Sequence, residues 1–179
     1  MSYVAEISRL LDTYVESVIA HADEEDTDRA TKGFFTAQEC YCKLCEHGQA
    51  GVNALRALLT HDRIEVRQSV ACHLLPFDPI SGLRVLKRCA KDPSVQVGLS
   101  SEMAVQQWVV GKLTFPMIIE GKLMWGPPEL VAQNSGNTRG KNRVFTDDRQ
   151  LHDGIIGKAF QVIRRTIRRG RRWFQVFVA

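Results

Sequence analysis

The sequence predicts an all-α domain of stacked helical hairpins, followed by a basic C-terminal extension. Through most of residues 1–111, apolar residues recur at steps of three and four, the spacing that lines one face of an α-helix. The charge then changes sign: residues 1–111 carry 11 Lys+Arg and 15 Asp+Glu, net −4, whereas residues 112–179 carry 13 and 5, net +8. Because such an asymmetry indicates parts with different partners, or parts that face each other, we divide the chain into a domain, 1–111, and an extension, 112–179.

Two long helices open the domain. The apolar positions from Val4 to Ile19 fall on one helical face, and the acidic run Asp23–Asp26 ends this first helix. The second helix opens at Thr27 or Asp28 and stops at His47-Gly48, where glycine suits a left-handed C-cap. We expect the two helices to pack antiparallel.

Four shorter helical segments follow and show an internal repeat. Leu55–Leu58 (LRAL) recurs as Leu83–Leu86 (LRVL) at an offset of 28, and Asp62 recurs as Asp92 at an offset of 30. A helical-hairpin period shorter than most HEAT units is the natural interpretation, so we predict a HEAT/armadillo-like stack. The segments are Val52–Leu59, Glu65–Leu75, Ile80–Ala90 and Val95–Val110.

The turn before the second of these segments has the form that stacked helical hairpins use. Asp62 is placed to cap the following helix, and Val66 and Val70 face the core at i and i+4. Arg67 can reach a turn carbonyl or a neighbouring carboxylate. We therefore assign Asp62 and Arg67 to the fold rather than to binding.

The order of two long helices followed by HDRIEVRQSVACHLL and DPISGLRVLKRCAKDPSVQVGLSSEMAVQQWVVGKL resembles a bacterial family. It is the domain-of-unknown-function family numbered two thousand and nineteen, and the resemblance covers about residues 4–113. Such a resemblance implies a small helical protein of the HEAT or armadillo type without recognised catalytic residues. Since similar helical folds serve as immunity proteins in bacterial toxin systems, it also implies binding rather than chemistry.

Helical periodicity lapses at the start of the extension. Leu113–Glu120 is β-branched and aromatic, Gly121-Lys122 suits a turn, and Leu123–Trp125 can return as a second strand, so a short hairpin is predicted. Gly126–Arg143 is rich in Gly, Pro, Asn and Ser, which predicts an extended loop. A basic amphipathic helix is predicted from Thr146 onward.

An arginine-rich segment ends this predicted helix. Guanidinium groups beside an aromatic ring suit phosphate pairing and base stacking, which indicates nucleic acid as a candidate partner. The alternatives are a cationic helix terminus, docking on the acidic domain, or an acidic protein partner. The region also resembles helical lead-in segments of bacterial polymorphic toxins over about 35 residues, without a motif that assigns nuclease activity. The candidate contact residues are Arg164, Arg165, Arg168, Arg169, Arg171, Arg172 and Trp173.

Several residues have reactive or metal-binding side chains, but their spacing does not form a site. On a continuous helix Cys42 and Cys45 share a face, whereas Cys40 and His47 do not converge with them, so we expect no metal. Cys72 and His73 are adjacent and point in different directions, so they do not form a dyad. The histidines near helix ends or turns, for which a surface or capping role is expected, are His21, His47, His61 and His73.

The composition excludes some classes of protein. Five cysteines are an odd number, which favours reduced thiols over a disulfide framework. No run approaches the roughly 18 apolar residues of a membrane span, and Met1–Glu6 lacks the features of a secretory signal. We expect a cytoplasmic protein that does not contact a membrane, has no cofactor and is not an enzyme.

The sequence thus predicts a non-enzymatic protein-interaction module. We expect an immunity-type protein that occludes a bacterial toxin, because its acidic surface would attract a basic partner such as a nuclease toxin. A nucleic-acid-associated protein that uses the arginine-rich end is the alternative. The residues predicted to form the acidic surface are Asp23, Glu24, Glu25, Asp26, Glu39 and Glu46.

Overall fold

The computed structural model describes residues 3–134, which form seven α-helices, a single 3₁₀ turn and one two-stranded sheet. This part of the chain is mostly helical, as predicted, and each of the six helices expected within residues 1–111 is present. The α-helices are α1 (Tyr3–Asp23), α2 (Thr27–Glu46), α3 (Gly48–Ala57), α4 (Ile64–Leu74), α5 (Pro79–Cys89), α6 (Val95–Val109) and α7 (Pro128–Asn134). The 3₁₀ turn is Leu58–Thr60, and the strands are β1 (Phe115–Ile119) and β2 (Lys122–Gly126).

The helices α1 and α2 pack against each other along their length. Asp26 begins α2, because its carboxylate accepts hydrogen bonds from the backbone N–H groups of Asp28 and Arg29. The side chains of Tyr14 on α1 and Tyr41 on α2 are completely buried. The predicted antiparallel pair of long helices therefore supplies one wall of the core.

The turn before α4 differs in one respect from the prediction. Asp62 does not cap α4: the N-cap residue is Arg63, which makes no side-chain capping bond, so the Asp62 carboxylate lies one position too early. Asp62 contributes its backbone carbonyl instead. Arg67 Nη1 donates to the carbonyl oxygens of His61 and Asp62, at 2.6 and 2.8 Å, and so closes the turn as predicted.

The predicted β-hairpin is present and packs on α2. Ile119 pairs with Lys122, so the turn is Glu120-Gly121, one residue earlier than predicted. Both turn residues have positive φ, 50° and 73°, as the type I′ turn of two-residue hairpins requires. Phe115 and Met117 of β1 belong to the same apolar core as the helices. This core thus continues beyond residue 111, the end predicted for the helical domain.

Part of the extended loop that we predicted over Gly126–Arg143 is helical, and residues 135–143 lie outside the described residues. Residues Pro128–Asn134 form α7, with Pro128 at its first position and Glu129 in its first turn, both favourable at a helix start. Val131 is buried in the common core and explains why α7 forms. The helix predicted from Thr146 and the arginine-rich end lie outside the described residues.

Within residues 3–134, no helix combines the length and the apolar character needed to cross a membrane.

Candidate functional site

The acidic run Asp23–Asp26 serves mainly the chain itself. Arg63 holds the Asp23 carboxylate with two hydrogen bonds, of 3.0 and 2.6 Å, and these lower the pKa of Asp23. Asp26 caps α2, and Glu24 accepts from the backbone N–H of Asp26 and lies 3.9 Å from Arg29. Glu25 is exposed and makes no hydrogen bond or ion pair within residues 3–134. Three of the four carboxylates of this run, all four of which were predicted to contact a partner, thus already have partners within the chain.

The two other predicted acidic residues lie on the solvent-facing stripe of α2. Glu39 and Glu46 follow Phe35 by four and eleven positions, which places the three side chains within about 40° around the helix. Both carboxylates are exposed, and neither makes a hydrogen bond or ion pair with any described residue. Lys32 and Lys43 flank the stripe on one side. The charge of Glu39 and Glu46 is therefore available to a partner.

Two exposed aromatic rings contact Phe34 of the same helix. Phe35 is 44% exposed, and its ring contacts Phe34 at a centroid distance of 5.4 Å. The ring of Trp125 on β2 stacks on Phe34 at 6.1 Å, with planes 12° apart, and Trp125 is 39% exposed. We call Phe35, Glu39, Glu46 and Trp125 the acidic–aromatic face.

The aromatic half of this face was not predicted from the sequence. Phe34 is buried, and a Phe-Phe pair in a helix implies that the second ring points in another direction. That signal could have identified Phe35. Trp125 had no such signal, because its position depends on how the hairpin packs against α2.

A buried polar cluster links three helices. The Tyr14 hydroxyl lies 2.8 Å from His73 Nδ1, and His73 Nε2 lies 2.9 Å from Gln38 Oε1. The Tyr41 ring stacks on the imidazole at 4.2 Å. Burial lowers the pKa of His73 to about 3 and raises the pKa of Tyr14 and Tyr41 well above the usual value. His73 is thus a buried, neutral core residue, and its predicted surface or capping role is wrong.

The cysteines are free thiols, as predicted. Burial raises the pKa of Cys42 and Cys72 to about 12 and that of Cys45 further. Because the thiolate is the nucleophile and the metal ligand, these thiols have low reactivity toward both electrophiles and metals. Cys42 and Cys45 do share a face and line one small pocket beside β1.

Among the residues that the structure describes, no group of three or more His, Cys, Asp or Glu side chains could hold a metal ion. The arginine-rich end, residues 164–173, lies outside that part of the chain, so the predicted nucleic-acid contacts stay predictions.

Comparisons with family models, curated proteins and solved structures find no match to this chain. The resemblance to the domain-of-unknown-function family accordingly stays a prediction.

Proposed function

We propose that this protein is a non-enzymatic interaction module of the immunity type, which binds a basic protein and blocks its action by steric occlusion. The observation that carries the proposal is the acidic–aromatic face. It comprises two exposed carboxylates without partners among the described residues and two exposed aromatic rings that both contact Phe34.

This combination suits a protein–protein interface. Exposed aromatic side chains supply much of the binding energy of such interfaces, while complementary charges steer the encounter and select the partner. The rings are held in place, since Trp125 stacks on the buried Phe34 and Phe35 contacts the same ring. A partner therefore meets a surface that loses little conformational freedom on binding.

The charge of the face favours a basic partner. Glu39 and Glu46 would pair with Lys or Arg side chains, and residues 1–111 carry a net charge of −4. A basic toxin, such as a nuclease, matches this chemistry. The cytoplasmic location expected from the sequence belongs to the same proposal.

We also propose that α3–α6 stack as HEAT-like hairpins. Two observations support this arrangement: α4 packs on α5 and α5 packs on α6, and Arg67 closes the turn before α4 through two backbone carbonyls. The long α1–α2 hairpin would then begin the stack and present the acidic–aromatic face.

The proposal is tested by capture and neutralisation. Full-length protein is used to purify partners from a nuclease-treated lysate of the native cell, and the captured protein is then expressed in a host with and without this chain. We expect to capture a basic protein in stoichiometric amount. This protein should inhibit growth when it is expressed alone. The wild-type chain should neutralise it, and the E39K/E46K variant should not.

Two results would contradict the proposal. One is capture of only nuclease-sensitive material, which would favour the nucleic-acid alternative. The other is a captured protein whose effect on growth does not depend on this chain.

A further inference from the structure

A cleft on the side of the molecule formed by α4 and α5 carries chemistry that the proposed interaction surface does not use. Its volume is about 410 Å³, at the small end of the range for small-molecule sites. The walls come from the 3₁₀ turn, the first turn of α4, the end of α5 and the loop that follows. Its charged lining residues are Arg67, Arg88, Lys91 and Asp92.

Three cationic side chains line this cleft, and none has a carboxylate partner within residues 3–134. Arg88 and Lys91 are exposed and make no side-chain hydrogen bond or ion pair with any residue in 3–134. Arg67 uses Nη1 for the carbonyls of His61 and Asp62, which leaves Nε and Nη2 without a bond among the described residues.

A single carboxylate, that of Asp92, lines the same cleft. Its Oδ1 accepts a hydrogen bond from the backbone N–H of Ser94, which orients it within its own turn. The lining therefore has a formal charge of +2, next to apolar walls from Ile64, Val85 and Pro93.

We propose that this cleft binds a small phosphorylated molecule with an apolar body. A phosphate dianion balances the charge of the lining, and guanidinium groups bind phosphate oxygens in a bidentate fork. Arg63, the N-cap residue of α4, makes no side-chain capping bond, and the dipole at this end of the helix favours an anion. The apolar walls accept the body of the ligand.

Arg88 and Lys91 also lie at the C-terminus of α5, where cations favour the helix dipole. If these side chains only stabilised the helix, replacing them would lower the thermal stability and leave the ligand affinity unchanged. Binding is therefore measured from the chemical shift of each amide. These shifts also distinguish binding in the cleft from binding to the basic residues of the extension.

The experiment is an NMR titration of the full chain with phenyl phosphate at constant ionic strength, with benzoate and benzyl alcohol as comparison probes. The cleft-directed variant is R88A/K91A. The matched control is R84A/K87A, which removes the same charge from two exposed positions of α5 that do not line the cleft. Thermal unfolding of each variant without ligand shows whether it folds, and K91Q alone replaces R88A/K91A if it does not.

We expect saturable amide shifts with phenyl phosphate at residues 64–67 and 88–93, weaker binding of benzoate and none of benzyl alcohol. The dissociation constant should rise at least about tenfold in R88A/K91A and stay within about twofold in R84A/K87A. Shifts confined to residues 135–179, or equal losses in the two variants, would overturn the proposal.

Discussion

The Tyr14 hydroxyl and His73 Nδ1 lie 2.8 Å apart in the core, and this contact joins α1 to α4. His73 Nε2 faces Gln38 Oε1, an acceptor, so the imidazole carries its proton on Nε2 and the Tyr14 hydroxyl donates to Nδ1. Both ring nitrogens are thus satisfied without solvent. The cluster fixes how α1, α2 and α4 meet, which positions the helix that carries Glu39 and Glu46.

Replacing Tyr14 with Phe should destabilise the fold by about 1–3 kcal/mol, because His73 Nδ1 would remain buried without a donor. Urea unfolding measures this change. The control is Tyr3→Phe, which removes an exposed hydroxyl that donates to the His47 carbonyl and should cost no more than about 0.5 kcal/mol. Equal effects of the two substitutions would contradict the account of the buried cluster.

His73 should make stability fall as the pH falls. Its pKa in the folded protein is about 3, below the usual 6.5, so the unfolded chain binds a proton that the folded chain excludes. The contribution is complete above pH 6.5 and is lost progressively toward pH 3. Between pH 7 and pH 5 the loss should be about 2 kcal/mol.

Urea midpoints of wild type and His73→Gln at the two pH values measure this contribution, since the other titrating groups are shared. NMR of the His73 ring nitrogens gives a second readout that needs no variant. The ring should remain the neutral Nε2–H form at pH 5. A ring that titrates near pH 6.5 in the folded protein would show that His73 is not sequestered.

The helices could be predicted from the sequence because their periodicity is local, whereas the role of His73 could not. Its partners Tyr14 and Gln38 are 59 and 35 positions away, so only the packing of three helices brings them together.

The helix α7 was not predicted for another reason. Its two prolines contribute to the composition that predicts a loop over Gly126–Arg143, although Pro at the first helical position and an acidic residue in the first turn are helix-start signals.

Gly51 should tolerate no side chain. A Cβ on Gly51 would overlap the backbone carbonyl oxygen of Leu44, where α3 crosses the end of α2. Gly51→Ala should therefore cost about 3 kcal/mol or more, measured by thermal or urea unfolding. The control is Gly121→Asn, at an open position with φ +73° that Asn adopts readily, and it should cost less than about 1 kcal/mol. A stable Gly51→Ala variant would refute the close approach.

The thiols should be unreactive in the folded protein. Because burial raises the pKa of Cys42 and Cys72 to about 12, almost no thiolate is present at pH 8. An aromatic disulfide reagent should modify the native protein at least about 100-fold more slowly than the urea-unfolded protein. A Ser8→Cys variant, whose new thiol lies at an exposed position of α1, supplies the fast-reacting control. Rapid reaction of any native cysteine would contradict the assignment.

Part of the candidate site was accessible from composition alone. The acidic residues were found by their charge, but charge does not tell which carboxylates already have internal partners. Asp23 and Asp26 hold a turn and a helix start, and Arg63 is 40 positions from Asp23. Glu39 and Glu46 differ from these two residues because the helical period places them outward, on the same stripe of α2 as Phe35.

The most direct test of the proposed function is the affinity of the full chain for its captured basic partner, measured by calorimetry in wild type and two charge-reversal variants. E39K/E46K alters the acidic–aromatic face, and D12K/E16K makes the same charge change at two exposed positions of α1 without ion pairs among the described residues. We expect E39K/E46K to weaken binding at least about tenfold and D12K/E16K to change it by less than about threefold. If both variants weaken binding equally, or if neither weakens it, the assignment of this face as the binding surface is contradicted.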